Sequence, residues 1–108
     1  MNKYPSRYSI NPDGTPKDVT AAQYIAELIC EKRATSTKRE LPIRFWVLEE
    51  WAKYYKYQIM LANKLLKQYR DTSIVKALLD SRSYKTFSLN SPFLIHIIKE
   101  YNNTPFLF

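Results

Sequence analysis

The chain has 108 residues, 45% of them hydrophobic, which suits one domain with a core of limited size. Its formal net charge is +7, from 17 Lys and Arg against 10 Asp and Glu, and this favours an anionic partner: nucleic acid, an acidic protein or an anionic lipid surface. A single glycine, Gly14, argues against sheet-rich folds with many tight turns and against glycine-rich phosphate loops. A single cysteine, Cys30, excludes an internal disulfide and any cysteine-based metal site.

Residues 1–18 read as an N-terminal arm rich in Tyr, Pro and Asn, with a turn at Asp13-Gly14. The arm is polar and lacks the apolar core of a signal peptide. No window approaches the roughly 20 apolar residues that span a bilayer. The expectation is therefore a soluble cytoplasmic protein, acting in the host cytoplasm if phage-encoded, with no membrane partner.

Residues 19–108 read as a helical domain. Thr20 followed by Gln23 is a capping-box pattern, and Ala21, Ile25, Leu28 and Ile29 form one apolar face of a helix fading by Ala34. Cys30 falls on this helix as a buried thiol. Ala34 to Glu40 is a polar linker, and Pro42 stands at or just before a helical start. Leu48, Trp51, Tyr55, Ile59, Ala62, Leu66 and Tyr69 then follow the 3-and-4 spacing of a buried stripe on one long helix. Tyr54, Leu61 and Leu65 widen that stripe on one flank, which two neighbouring helices would cover. A short helix from about Ser73 to Asp80, capped by Asp71 or Thr72, turns Ile74, Leu78 and Leu79 inward. Ser81 to Asn90 is a polar connector in which Tyr84, Phe87 and Leu89 look extended. Ser91-Pro92 opens the last helix, with Leu94, Ile95, Ile97, Ile98 and Tyr101 as its apolar positions. The expected fold is all-α: a compact bundle of about four helices with an extended N-terminal arm.

The basic residues are not evenly spread. Between Trp51 and Asn90 stand Lys53, Lys56, Lys64, Lys67, Arg70, Lys76, Arg82 and Lys85, opposed only by Asp71 and Asp80; eight cations against two anions leave this segment at +6. Four of the lysines, Lys53, Lys56, Lys64 and Lys67, gather opposite the apolar stripe, with Tyr57 and Met60 among them. Ammonium groups at that spacing can track phosphates, and a ring offers a stacking surface. Lysine rather than Arg, Asn and Gln sets implies contacts weighted to the nucleic-acid backbone and weakly sequence-selective.

Other chemistry is poorly represented. His96 and Glu100 share a helix face at i and i+4, which suits a local polar pair better than a metal site, since no other histidine exists. Glu49 and Glu50 are adjacent and point apart, so they are no acid/base dyad; early in a helix they suit its dipole. No Ser-His-Asp ordering or nucleotide-binding loop is present, so neither an enzyme nor a cofactor is expected. The ending Thr104-Pro105-Phe106-Leu107-Phe108 is apolar. It resembles the end of the short peptides that replication proteins insert into sliding clamps, without their leading glutamine. Packing onto its own domain is the preferred reading of this terminus, and Phe106, Leu107 and Phe108 are the candidate partner-binding residues under the other.

From Lys53 to Tyr101 the order of features resembles the helical module of DnaD-like primosome and phage replication proteins. The matching elements are Ala62-x-x-Leu65-Leu66-Lys67-x-Tyr69, then Ile74-x-x-Ala77-Leu78, then a connector and the Ser91-Pro92 helix start. That family's later Tyr-x-x-x-Ile-x-x-x-Trp pattern is absent. The resemblance implies an accessory DNA-binding role in replication or recombination. The sequence as a whole reads as a non-catalytic nucleic-acid-binding factor, with DNA favoured over RNA. The rival reading is a protein-interaction adaptor, subunit or inhibitor that docks its basic face and apolar termini on a larger machine.

Overall fold

Residues 3–20 depart furthest from expectation. In the computed structural model, which describes residues 3–103, they are a β-hairpin rather than an extended arm. Strand β1 (Lys3–Ile10) pairs antiparallel with β2 (Pro16–Thr20), Tyr4 facing Val19 and Pro5 facing Asp18. The turn is closed by Asn11, whose N–H donates to the Thr15 carbonyl at 2.8 Å, and by Gly14, whose N–H donates to the Asn11 carbonyl at 2.9 Å. Gly14 adopts φ 89°, a conformation that side chains rarely tolerate, so the single glycine sits where the backbone demands one.

The pairing register shifts between Pro5 and Ile10, and Ser6 organises the irregularity. Its hydroxyl accepts from the backbone N–H groups of Tyr8 (3.1 Å) and Ser9 (2.9 Å) and donates to a carboxylate oxygen of Glu27 at 2.6 Å. The other Glu27 oxygen accepts the Arg7 N–H at 3.0 Å. Glu27 is fully buried, so the bulge's donors are met by a carboxylate that has left water. Burial raises its pKa while these two hydrogen bonds pull the other way.

The strand runs directly into helix α1 (Ala21–Ser36). Thr20 is its N-cap with both halves of the capping box formed, as the sequence pattern requires. A short 3-10 turn (Phe45–Val47) leads to α2 (Glu49–Leu66), then α3 (Asp71–Leu79), a second 3-10 turn (Ser81–Ser83) and α4 (Pro92–Asn103). The four expected helices are present, so the chain is mostly helical with a two-stranded sheet, not purely all-α. Pro92 is the first residue of α4, where its missing N–H is no loss. The connector before it forms no strand: Ser81–Ser83 is a 3-10 turn, and Tyr84 is exposed.

One hydrophobic core joins these elements. Ile25, Ala26 and Ile29 of α1 meet Trp51, Ala62 and Leu65 of α2, Ile74 and Ala77 of α3, and Leu94, Ile97 and Ile98 of α4. Cys30 is fully buried, and burial pushes its thiol up to about 12. Phe45 is the hub of the hairpin end: its ring takes edge-to-face contacts with Tyr8, Trp46, Trp51 and Tyr55 at centroid distances of 5.3, 5.1, 5.8 and 5.2 Å.

Helix α2 is turned relative to the stripe expected for it. Trp51, Tyr55 and Ala62 are buried as the spacing requires, but Gln58, Leu61 and Leu65 complete the buried face. Ile59, Leu66 and Tyr69 are half-buried, and Leu48 is exposed. Gln58 supplies the reason. Its amide donates to the Ser88 hydroxyl at 3.1 Å and accepts the Leu89 N–H at 2.8 Å, which carries Leu89 into the core beside it. Tyr54 likewise donates to the Phe87 carbonyl. In α3, Leu79 points outward at 68% exposure, and Ala77 takes the inward place expected for it. The helix starts at Asp71 without a side-chain N-cap from Asp71 or Thr72. Instead the Asn102 side-chain oxygen of α4 accepts the Arg70 N–H at 3.0 Å.

Candidate nucleic-acid interface

The solvent side of α2 is built by exclusion. Once Trp51, Tyr55, Gln58, Leu61 and Leu65 face inward, Lys53, Lys56, Lys64 and Lys67 have nowhere to go but water, and all four are exposed. At about 100° per residue they share an arc of about 80°, and at about 1.5 Å per residue Lys53 to Lys67 spans about 21 Å. None of them makes a hydrogen bond or ion pair among the described residues. Tyr57 (44% exposed) and Met60 (46%) lie among them. Asn90 donates its side-chain N–H to the Tyr57 hydroxyl at 3.3 Å, fixing the ring at the edge of the arc.

The remaining predicted site residues behave differently. Arg70 folds back onto the end of α4, its guanidinium donating to the carbonyls of Tyr101 (3.1 Å) and Asn102 (2.9 Å), orphan acceptors at a helix C-terminus. Arg82 is gripped on two sides. It donates through Nε and Nη2 to Asp80 at 3.1 Å each, and through Nη1 to Glu100 at 3.0 and 3.2 Å. Asp80 also accepts the Arg82 backbone N–H at 2.8 Å and the Tyr101 hydroxyl at 2.7 Å. Hydrogen bonds from Arg82 hold the Asp80 carboxyl far below the usual carboxylate range, and the same pairing raises Arg82. Lys76 is exposed on α3, and the Lys85 ammonium stands 5.5 Å from the centre of the Tyr84 ring. The structure therefore presents one row of lysines unpaired among the described residues, and ties down the two arginines expected to extend it: Arg70 on the end of α4, Arg82 on Asp80 and Glu100. Phe106, Leu107 and Phe108 lie outside the described residues.

Histidine and carboxylates give no metal centre among the described residues. His96 Nε2 stands 3.2 Å from Glu100, the local pair expected from their spacing, and Glu100 is shared with Arg82. No helix among the described residues is long and apolar enough to cross a membrane.

Compared with known proteins, the chain matches no family model, no curated protein and no solved structure.

Sequence reasoning missed one feature beside the lysine row. A groove of about 1130 Å³ lies between the start of α1, the C-terminal half of α2 and the link into α3. Ala21, Ala22, Ile59, Leu66 and Tyr69 line it with apolar surface, and Thr20, Gln23, Asn63, Lys67, Gln68, Arg70, Asp71 and Asn102 with polar groups; Asp71 is the one acidic residue in the wall, and its carboxylate accepts the Tyr4 hydroxyl. Its existence depends on where α1 lands against α2. The only local signal was that Ile59, Leu66 and Tyr69 formed a stripe that the core did not fully use.

Proposed function

We propose that this protein is a non-catalytic nucleic-acid-binding accessory factor that holds the phosphate backbone on the lysine face of α2. The observation that carries the reading is that row of four exposed lysines without a partner among the described residues. Each phosphate that a lysine neutralises releases condensed counterions, so the row gains affinity without base contacts. DNA is favoured over RNA, and a place in replication or recombination rests on the DnaD-like resemblance of residues 53–101.

Salt dependence tests the reading first. Four to six phosphate contacts give a slope of log K against log salt of roughly −3 to −5. Reversal of Lys56 and Lys64 to glutamate should lower affinity for single- and double-stranded DNA more than tenfold at moderate salt. The melting temperature should stay close to wild type, because exposed substitutions usually shift stability by under about 0.5 kcal/mol each. Unchanged binding by a normally folded double variant retires the lysine face and leaves the adaptor reading in its place.

A further inference from the structure

The groove beside the lysine row has its own chemistry, and we infer that it seats the bases of a single-stranded nucleic acid whose phosphates the α2 lysines hold. The inference rests on the function proposed above and adds to it a strand type and a second set of residues.

Position comes first. At about 100° per residue, Ile59 and Leu66 stand within about 100° of Lys67 around the helix, with Asn63 between them. Lys67 belongs to both the lysine row and the groove wall. A backbone lying along Lys56 and Lys67 therefore has the groove immediately to one side, with Lys53 and Lys64 on the other.

Chemistry comes second. Ile59, Leu66 and the half-buried ring of Tyr69 offer apolar and aromatic surface to a base face. The carboxamides of Asn63 and Gln68 stand exposed at the rim, without a hydrogen-bond partner among the described residues. A carboxamide offers both donor and acceptor, which is what an unpaired base edge requires. The groove's volume exceeds the roughly 300–1,000 Å³ typical of ligand sites, so it has room for more than one base. Charge complementarity selects the occupant: the lysine row borders the groove along α2, and the strand that supplies the phosphates supplies the bases. A duplex keeps its bases paired and stacked, so it can engage the lysines but not the groove.

The test compares a mixed-sequence single-stranded DNA oligonucleotide with a duplex of the same length, read by fluorescence anisotropy. Tyr69→Ala should lower single-strand affinity at least about fivefold, the lower bound for loss of one stacked base, and leave duplex affinity within about twofold. Tyr69→Phe, which keeps the ring, should bind as wild type. Because Tyr69 also touches the core, the double variant Asn63→Ala/Gln68→Ala is measured beside it. Both positions are exposed, so it should melt normally and lose about threefold on the single strand alone.

Equal losses on single strand and duplex, or no loss from either groove variant, overturn the proposal. If the groove variants have no effect while reversal of Lys56 and Lys64 does, the groove reading falls and the lysine face stands. If wild type binds neither oligonucleotide at low salt, both readings fall together.

Discussion

On α2, Lys53, Lys56, Lys64 and Lys67 reach into solvent with no partner among the described residues, whereas Arg82 is held by the carboxylates of both Asp80 and Glu100. In sequence the two groups form one basic cluster. In the folded chain they do opposite things: the lysines leave their charge available, and the arginine joins the second 3-10 turn to α4. Arg70 sides with Arg82, closing the end of α4, and Arg33 lies over the rings of Trp51 and Tyr54 at 5.5 and 4.3 Å from their centres, tying α1 to α2. Arginine's planar fork with five donors suits such multi-point holding; lysine's single mobile ammonium suits a partner that arrives from solution. Net charge in a sequence counts both and cannot separate them.

The comparison depends on how α2 is rotated, and that can be broken most strongly in the core. Leu65→Ala should cost about 2–5 kcal/mol in a denaturant melt, and Leu66→Ala clearly less, because Leu65 is buried and Leu66 half-buried. The reverse order would put the helix back on the stripe read from sequence and the lysines on a different side. Glu27→Gln sharpens the picture at the hairpin. Both Glu27 oxygens face donors, so an amide turns one acceptor into a donor against Ser6 or Arg7 and should cost about 1–3 kcal/mol.

Next in size is the contrast itself. Arg82→Ala should lower the melting temperature while changing DNA affinity by less than about twofold, and the Lys53→Ala/Lys67→Ala pair should do the opposite, losing roughly tenfold in affinity at low salt. A variant of Arg82 that melts normally and binds weakly would return that arginine to the interface. The smallest effect is in acid. The folded-state pKa of Asp80 lies below its unfolded value of about 3.9, so its contribution is present above that pH and is lost as pH falls further. Asp80→Asn should therefore melt lower than wild type at pH 7, and the gap should narrow as both are brought toward pH 3.

Much of the helical order was legible because local rules wrote it: the Thr20–Gln23 capping box, the Ser91-Pro92 start and the solvent exposure of the α2 lysines all follow from nearest neighbours. What was not legible depends on distant partners. The hairpin was hidden because β1 alternates poorly and its bulge is completed by Glu27, a charged residue that reads as surface. Gln58 reads as polar and faces inward only because the backbone at Leu89 needs it. Arg70 reads as a free cation because its acceptors lie at the end of α4, 31 and 32 positions away; Arg82 has one acceptor close by in Asp80, but its second, Glu100, also lies on α4.

The Tyr4 hydroxyl of β1 donates to the Asp71 carboxylate, a contact spanning 67 positions of the chain. On the ribosome this sets an order of events. The hairpin and the start of α1 are local and can pair while the rest of the chain is still being made, at about 5–20 residues per second. Docking of β1 on its far side waits until α3 has emerged, several seconds later. During that interval the Ser6 and Arg7 hydrogen bonds to Glu27, the Tyr8 hydroxyl's bond to Glu31 and the stacked rings of Tyr4 and Tyr24 (4.7 Å between centres) keep the strand on α1. Weakening that early grip would show first in the yield of correctly folded chain, before any change in the finished protein's affinity.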